Sequence, residues 1–213
     1  MYKQVYSNAN SAYEDIFKTI KEDGIKKQDT VFIQNCFFTI LNPLDNIITN
    51  SNRKWKKQYA DLEWEWYLSG NNSVKEIRKH AKIWDKMHSG NFIVNSNYGY
   101  QWKRKNQLDN IVQKLIENKH TRQAVISLYD GKEIEIYKHD TPCTLSISFN
   151  YVVDRLDMTV LMRSNDLYFG FCNDQYCFSK LFELVCNKTG LKIGKYHHLA
   201  IDMHIYKDFI DKI

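Results

Sequence analysis

Between Leu145 and Met162 the chain alternates with a two-residue period. Leu145, Ile147, Phe149 and Tyr151 are interleaved with Ser146, Ser148 and Asn150. After a polar turn near Asp154-Arg155 the apolar series resumes as Leu156, Met158, Val160 and Met162. Successive side chains of a strand point to opposite faces, so each run is a strand with one buried face. Two such runs joined by a short turn predict a hairpin.

Helical spacing accounts for much of the remainder. Ile16, Phe17 and Ile20 follow Ala12 at helical intervals until Gly24 stops the run. Ser73 and Glu76 have capping-box spacing, and Ile77, Ala81, Trp84 and Met87 behind them predict one apolar helical stripe. Leu108, Ile111, Val112, Leu115 and Ile116 form the clearest amphipathic pattern. A short β-rich run covers residues 124–129. A helix is predicted from about Gln175 to Lys188, with Gly190 as its stop, and a last strand from about His198 to Tyr206. Helices beside antiparallel strands predict an α+β fold. With no internal repeat and no boundary signal, residues 1–213 read as a single domain.

Composition narrows the function classes. At 213 residues the chain can bury a core without disulfides or a structural metal. A net charge of +5 suits an anionic ligand such as a phosphate but lacks the dense basic runs of a nucleic-acid binder. Five cysteines (Cys36, Cys143, Cys172, Cys177, Cys186) with no CxxC pair speak against a zinc site and a disulfide scaffold. They suit a reducing compartment, and with no apolar leader or spanning run the expectation is a soluble, cytoplasmic protein.

Three local features invite chemistry. Thr141-Pro142-Cys143-Thr144 puts a thiol at the mouth of a strand, Met162-Arg163-Ser164-Asn165-Asp166 closes the next, and Gly170-Phe171-Cys172-Asn173-Asp174 opens a helix. Each also has a plain structural explanation. A cysteine beside a strand commonly packs as a small hydrophobe. Arg163 with Asp166 fits a structural ion pair, and Asn173-Asp174 before an apolar run fits an N-cap.

In order along the chain, Trp66-Tyr67-Leu68-Ser69-Gly70, Ile83-Trp84-Asp85, Tyr98-Gly99-Tyr100-Gln101-Trp102, Thr121-Arg122-Gln123, Pro142-Cys143, Arg163-Ser164-Asn165-Asp166 and Asp202-Met203-His204-Ile205-Tyr206 resemble the thymidylate synthase and pyrimidine hydroxymethylase family. The resemblance runs from about Glu63 to Tyr206. It implies a thymidylate synthase-like sheet packed with helices, with sheets forming the interface of a homodimer that shares its active sites. It also implies a pyrimidine nucleoside monophosphate as substrate and 5,10-methylenetetrahydrofolate as co-substrate, with no membrane and no direct nucleic-acid partner.

Residue by residue, Cys143 matches the thiol that adds to C6 of the base so that C5 becomes nucleophilic. Arg163 matches an arginine that grips the phosphate with its planar fork, and it is placed to lower the thiol pKa. Ser164 and Asp166 stand beside it. Arg122 matches a phosphate ligand donated by the partner subunit, and Gln123 replaces a second arginine. His204 and Tyr206 match the pair that binds the sugar 3′-hydroxyl. Glu63, favoured over Glu65 by its distance from Trp66-Tyr67-Leu68, resembles the general acid/base. Trp84, Asp85 and Tyr98 match positions around folate and base.

Departures from the synthase pattern carry the substrate expectation. Asp174 stands where synthases have an asparagine that reads uracil. Cytosine presents an amino donor and an unprotonated N3 at that edge, which suits a carboxyl group. A carboxylate facing uracil O4 would leave two acceptors opposed, at about 1–3 kcal/mol. Sliding the alignment by one residue would make Asn173 the base reader and favour uracil; the spacing to Gly170 supports Asp174. Thr144 replaces the histidine that follows the nucleophile in synthases and resembles the hydroxymethylases. Only seven residues follow Tyr206, so the segment that closes over folate in the family is expected to be missing, which favours water capture over hydride transfer. The expectation is a dCMP 5-hydroxymethylase. The alternatives are a thymidylate synthase or dUMP hydroxymethylase, or an inactive nucleotide-binding homologue.

Overall fold

A computed structural model describes residues 2–88, 90–138 and 140–211. In chain order the elements are β1 (Tyr2–Tyr6), α1 (Ala9–Asp23), β2 (Ile25–Lys26), β3 (Thr30–Ile40), α2 (Lys57–Ser69), α3 (Tyr98–Lys103), α4 (Gln107–Glu117), β4 (Val125–Ser127), β5 (Thr144–Val152), β6 (Arg155–Met162), β7 (Asn165–Asp166), α5 (Cys172–Thr189), β8 (Ile193–Tyr206) and α6 (Lys207–Ile210). Short 3-10 turns and one π-helical turn, Leu167–Phe171, connect them. Among the described residues no helix is long and apolar enough to cross a membrane.

The strands form one mixed sheet in the order β1-β3-β8-β6-β5-β4, with β2 beside β3 and β7 beside β8. The predicted hairpin is present: β5 and β6 pair antiparallel with Ile147 opposite Val160 and Phe149 opposite Met158. Both series point into the core, as does the alternating set Tyr196, His198 and Ala200 of β8, which runs parallel to β6. Helix α5 lies under this face with Tyr176, Phe178, Leu181, Phe182 and Val185 buried. It ends where Gly190 turns into the left-handed region at φ 70°, as the glycine stop requires. The opposite face of the sheet carries half-buried Phe37, Leu161 and Leu199 with exposed Ile201 and no helix over them among the described residues.

Four elements depart from the sequence expectation. Strand β8 begins at Ile193, before the expected start near His198, and α5 begins at Cys172, before Gln175. Residues 73–87 do not form a capped helix; they make 3-10 turns at Ile77–Lys79 and Lys82–Asp85. The start of the stretch is engaged elsewhere: Val74 N–H donates to Phe92 O at 2.8 Å and Val94 N–H to Asn72 O at 3.0 Å, which ties Ser73 to Ile93 as an isolated bridge. Helix α1 begins at Ala9, three residues earlier than its apolar spacing indicates, because Asn8 and Ser11 form a reciprocal capping box.

The sheet kinks near the end that carries Cys143. Asn35 in β3 adopts φ 54°, and β5 shifts register against β6 between Thr144 and Ser146. Helices α2 and α3 cross tightly beside this end. Gly99 permits the crossing, because a Cβ at that position would lie 1.7 Å from the Tyr67 carbonyl oxygen. Gly99→Ala is expected to lower unfolding free energy by about 3 kcal/mol, in the range of core overpacking. Urea denaturation followed by circular dichroism tests this, and an unchanged midpoint would contradict the crossing described.

Candidate active site

Cys143 ends the loop before β5, and Arg163 follows β6 on the neighbouring strand. The hairpin register brings them together: Arg163 N–H donates to Cys143 O at 2.8 Å. The guanidinium folds back over the same loop, with Nη2 donating to Thr141 O at 2.8 Å and Nε to Pro142 O at 3.1 Å. Nη2 also lies 3.6 Å from Cys143 Sγ. The positive charge anticipated beside the thiol is therefore in place. Its net effect on the thiol differs from the expectation. Burial pushes the Cys143 pKa up to about 11; Arg163 opposes this, while Asp174, Asp140 and Asp166 add to the rise.

Asp174 sits in the first turn of α5, and its Oδ2 accepts from Asn165 Nδ2 at 2.8 Å. Burial pushes its pKa up to about 7, with the Asn165 hydrogen bond lowering it and Asp166 raising it. The neighbouring Asn173 is committed elsewhere: its Oδ1 accepts from Trp55 Nε1 at 2.8 Å and its Nδ2 donates to Phe169 O at 3.3 Å. The Asp174 charge is felt at Cys143, where it raises the thiol pKa. Asn165 is 2% exposed, and its Oδ1 has no hydrogen-bond partner among the described residues.

Glu63 is buried on α2, and its pKa is pushed up to about 8 by burial and by Asp174. Tyr67, one helical turn later, donates its hydroxyl to Glu63 Oε1 at 3.3 Å. Tyr59, one turn earlier, is in electrostatic contact with the same carboxyl and accepts from Trp84 Nε1 at 2.9 Å. Sequence reasoning passed over both tyrosines, although their spacing of four from Glu63 places them on its helix face. Trp84 packs edge-on against Trp66 at 4.9 Å, and Tyr98 stacks on Phe178 at 5.6 Å near Thr144. Asp85 lies at the surface, paired with Arg78 Nε at 2.6 Å.

The remaining ligand candidates divide. Ser164, His204 and Tyr206 share a cavity of about 190 Å³ with Lys27, Gln28, Asp29, Thr30 and Asp202. His204 Nδ1 is 2.9 Å from Asp202 Oδ1. Asp166 accepts the N–H groups of Tyr168 and Phe169 at 2.8 and 3.2 Å, and burial raises its pKa while His204 lowers it. Arg122 is exposed and far from this group. Its loop lies at the other end of β5, where Lys119 covers the Tyr151 ring at 4.6 Å and β4 pairs Val125 with Ser148. At ~3.3 Å per residue, Tyr151 is roughly 20 Å along the strand from Thr144.

A family model described as thymidylate synthase matches residues 11–213, nearly the whole chain. The chain belongs to the thymidylate synthase family. Among its relatives, a deoxyuridylate hydroxymethyltransferase of Pseudomonas phage M6 is 28% identical over 210 residues, covering 94% of this chain and 59% of that protein. A second, of Delftia phage PhiW-14, is 29% identical over 197 residues, covering 86% and 55%. Thymidylate synthase 1 of Bacillus spizizenii is 25% identical over 176 residues, covering 78% and 63%. The chain thus spans a little over half the length of these relatives.

The raised carboxyl pKa values set a pH dependence of stability. Glu63 moves from 4.5 to about 8, and Asp174 from 3.8 to about 7. Between pH 6.5 and 8 the unfolded chain holds fewer protons at these groups than the folded chain, so stability falls as pH rises. Below pH 6.5 buried His198, held down near 3 by burial, works in the opposite sense, because only the unfolded chain takes up its proton. From pH 6.5 to 8 the Glu63 share is about 1 to 2 kcal/mol. Denaturation midpoints across that interval should decline for the native chain and decline less for Glu63→Gln; equal slopes would refute the assignment.

Proposed function

We propose that this chain transfers a one-carbon unit to C5 of a pyrimidine nucleoside monophosphate, with dCMP as substrate and the 5-hydroxymethyl nucleotide as product. The observation that carries the substrate choice is Asp174, held by Asn165 within electrostatic reach of Cys143. A carboxyl group with a pKa of about 7 readily shares one proton with the base it faces. N3 of cytosine is a far stronger base than O4 of uracil, and the C4 amino group donates to the second carboxyl oxygen.

In this reading Cys143 Sγ attacks C6 of the base, forming the S–C bond and turning C5 into an enamine-type nucleophile. The thiol is dormant in the free chain, with its pKa near 11. Pairing of Asp174 with the base neutralises one of the carboxylates that hold the thiol pKa up. Arg163 then acts with less opposition. Glu63, protonated near neutrality and bracketed by Tyr59 and Tyr67, stands ready to exchange a proton at the base through water. Ser164, His204 and Tyr206 would take the sugar and phosphate side. By the family resemblance Trp84, Asp85 and Tyr98 would border methylenetetrahydrofolate, which supplies the one-carbon unit when bound. In the free chain Trp84 is covered by Trp66, Tyr98 by Tyr67 and Phe178, and Asp85 pairs with Arg78, so these side chains would have to part to receive it. The hydroxymethyl outcome is supported by Thr144, buried beside Tyr98 where the synthase pattern has histidine, and by the names of the phage relatives.

The working unit in this reading is a homodimer packed through the uncovered sheet face. Arg122 lies roughly 20 Å from its own chain's thiol by strand rise, so it would serve the phosphate of the other subunit. A second reading, dUMP hydroxymethylation, is favoured by the similarity to the deoxyuridylate hydroxymethyltransferases of Pseudomonas phage M6 and Delftia phage PhiW-14.

Incubation with methylenetetrahydrofolate and either dCMP or dUMP, followed by product mass, decides between these readings. The expected product is dCMP plus a hydroxymethyl group; a gain on dUMP alone would overturn the cytosine assignment. Asp174→Asn is expected to reverse nucleotide preference by about tenfold or more, as an amide donates to O4 and accepts from N3–H. Cys143→Ser should abolish tritium release from C5-labelled nucleotide while leaving nucleotide affinity within about threefold.

A further inference from the structure

Asp140 lies three residues before Cys143 and is 3% exposed. None of the roles described above uses it. Its Oδ2 accepts the backbone N–H of Asn95 at 2.6 Å and that of Ser96 at 2.7 Å, and its Oδ1 accepts the Ser96 hydroxyl. In return Asn95 Nδ2 donates to Asp140 O at 2.9 Å and to Ile136 O at 3.3 Å. These five hydrogen bonds fasten Ile136 and Asp140 to residues 95 and 96. One residue further, Asn97 caps α3 by accepting Tyr100 N–H at 2.7 Å. The two fastened segments therefore lead directly to Cys143 on one side and to Tyr98 on the other.

We propose that Asp140 is a positioning residue for the Cys143 reaction, fixing the nucleophile loop against the start of the Tyr98 helix. The proposal rests on the reading of Cys143 as nucleophile. A carboxylate that accepts three donors makes a stronger clamp than a neutral acceptor would. The clamp has a drawback, because it places an anion near a thiol that must ionise. The charged and titratable groups facing that thiol are Arg163 from the end of β6, Asp166 from the start of the π-helical turn, Asp174 from α5, Tyr98 from α3, Tyr206 from the end of β8, and Asp140 from its own loop. Asp140 and Asp166 both accept backbone N–H groups, but Asp166 holds its own turn whereas Asp140 holds a segment 44 and 45 residues away, and the Asp140 charge persists when a nucleotide neutralises Asp174.

The clamp and the charge are separable by substitution. Asp140→Asn keeps an oxygen for both backbone N–H groups and turns its amide toward the Ser96 oxygen, which then accepts. Asp140→Ala removes both clamp and charge. Two measurements on the full chain test the proposal: tritium release from C5-labelled dCMP, and the pH profile of Cys143 alkylation by iodoacetamide followed by peptide mass.

Asp140→Ala is expected to lower kcat about tenfold or more, with KM for dCMP changed by less than about threefold. Asp140→Asn is expected to restore kcat to within about threefold and to shift the alkylation midpoint down by about half a pH unit. Should Asp140→Ala fail to fold, Ser96→Ala, which removes one donor, takes its place with a smaller loss of kcat. Wild-type turnover in the alanine variant that folds, or failure of asparagine to rescue, overturns the proposal. Alkylation profiles that move while the native chain releases no tritium would defeat the nucleophile reading and leave the placement of Asp140 standing.

Discussion

A single guanidinium faces several carboxyl groups around one sulfur at a poorly solvated end of the sheet, and the behaviour of the site follows from that imbalance. Arg163 is held by the very loop it serves, through the carbonyls of Thr141 and Pro142, so its position relative to Cys143 is set by backbone. Against it stand Asp174, Asp140 and Asp166. In a low-dielectric environment charges of one sign cannot all persist, and the usual release is proton uptake. Glu63 and Asp174 take that course and become proton donors near neutrality. The thiol takes the same course and holds its proton.

In the proposed reading that arrangement makes the base both substrate and activator. In that reading, a base whose N3 accepts a hydrogen bond from the protonated Asp174 carboxyl keeps that group neutral, so its charge no longer stands beside the sulfur as the ring arrives at attacking distance. A chain with asparagine at that position would have no such charge to remove. On that proposal the carboxyl links recognition of the ring edge to readiness of the nucleophile, through a group that Asn165 holds by a single hydrogen bond.

Sequence periodicity was most informative where one face of an element is buried and the other is open. The β5–β6 hairpin, α4 and α5 satisfy that condition and were readable with nearly correct ends. Strand β3 was not, because it is the inner partner of both β1 and β8, buries residues on both faces, and breaks its alternation at Asn35. The stripe at residues 77–87 has helical spacing, yet Asn72 and Val74 just before it pair with Val94 and Phe92, a tertiary preference that no local window contains. At the site, Cys143, Arg163 and Asp174 stood out through ordered short motifs. Tyr59 and Tyr67 were available from helical spacing around Glu63. Asp140 was not, since its partners lie 44 and 45 residues away in a loop without a motif.

The side of the site bearing Trp84 is built separately from the rest. Val74, Ile77, Trp84 and Val94 form a small apolar cluster distinct from the core that spans the sheet and the long helices. Few buried contacts hold such a cluster, and it can open at a free-energy cost well below that of global unfolding. Trp84 nevertheless reaches Glu63 through the Tyr59 hydroxyl. A breathing motion of this flap would thus wet the glutamate and return it toward ordinary acidity, while closure would restore its hold on the proton. Local opening and proton affinity become two readings of one equilibrium.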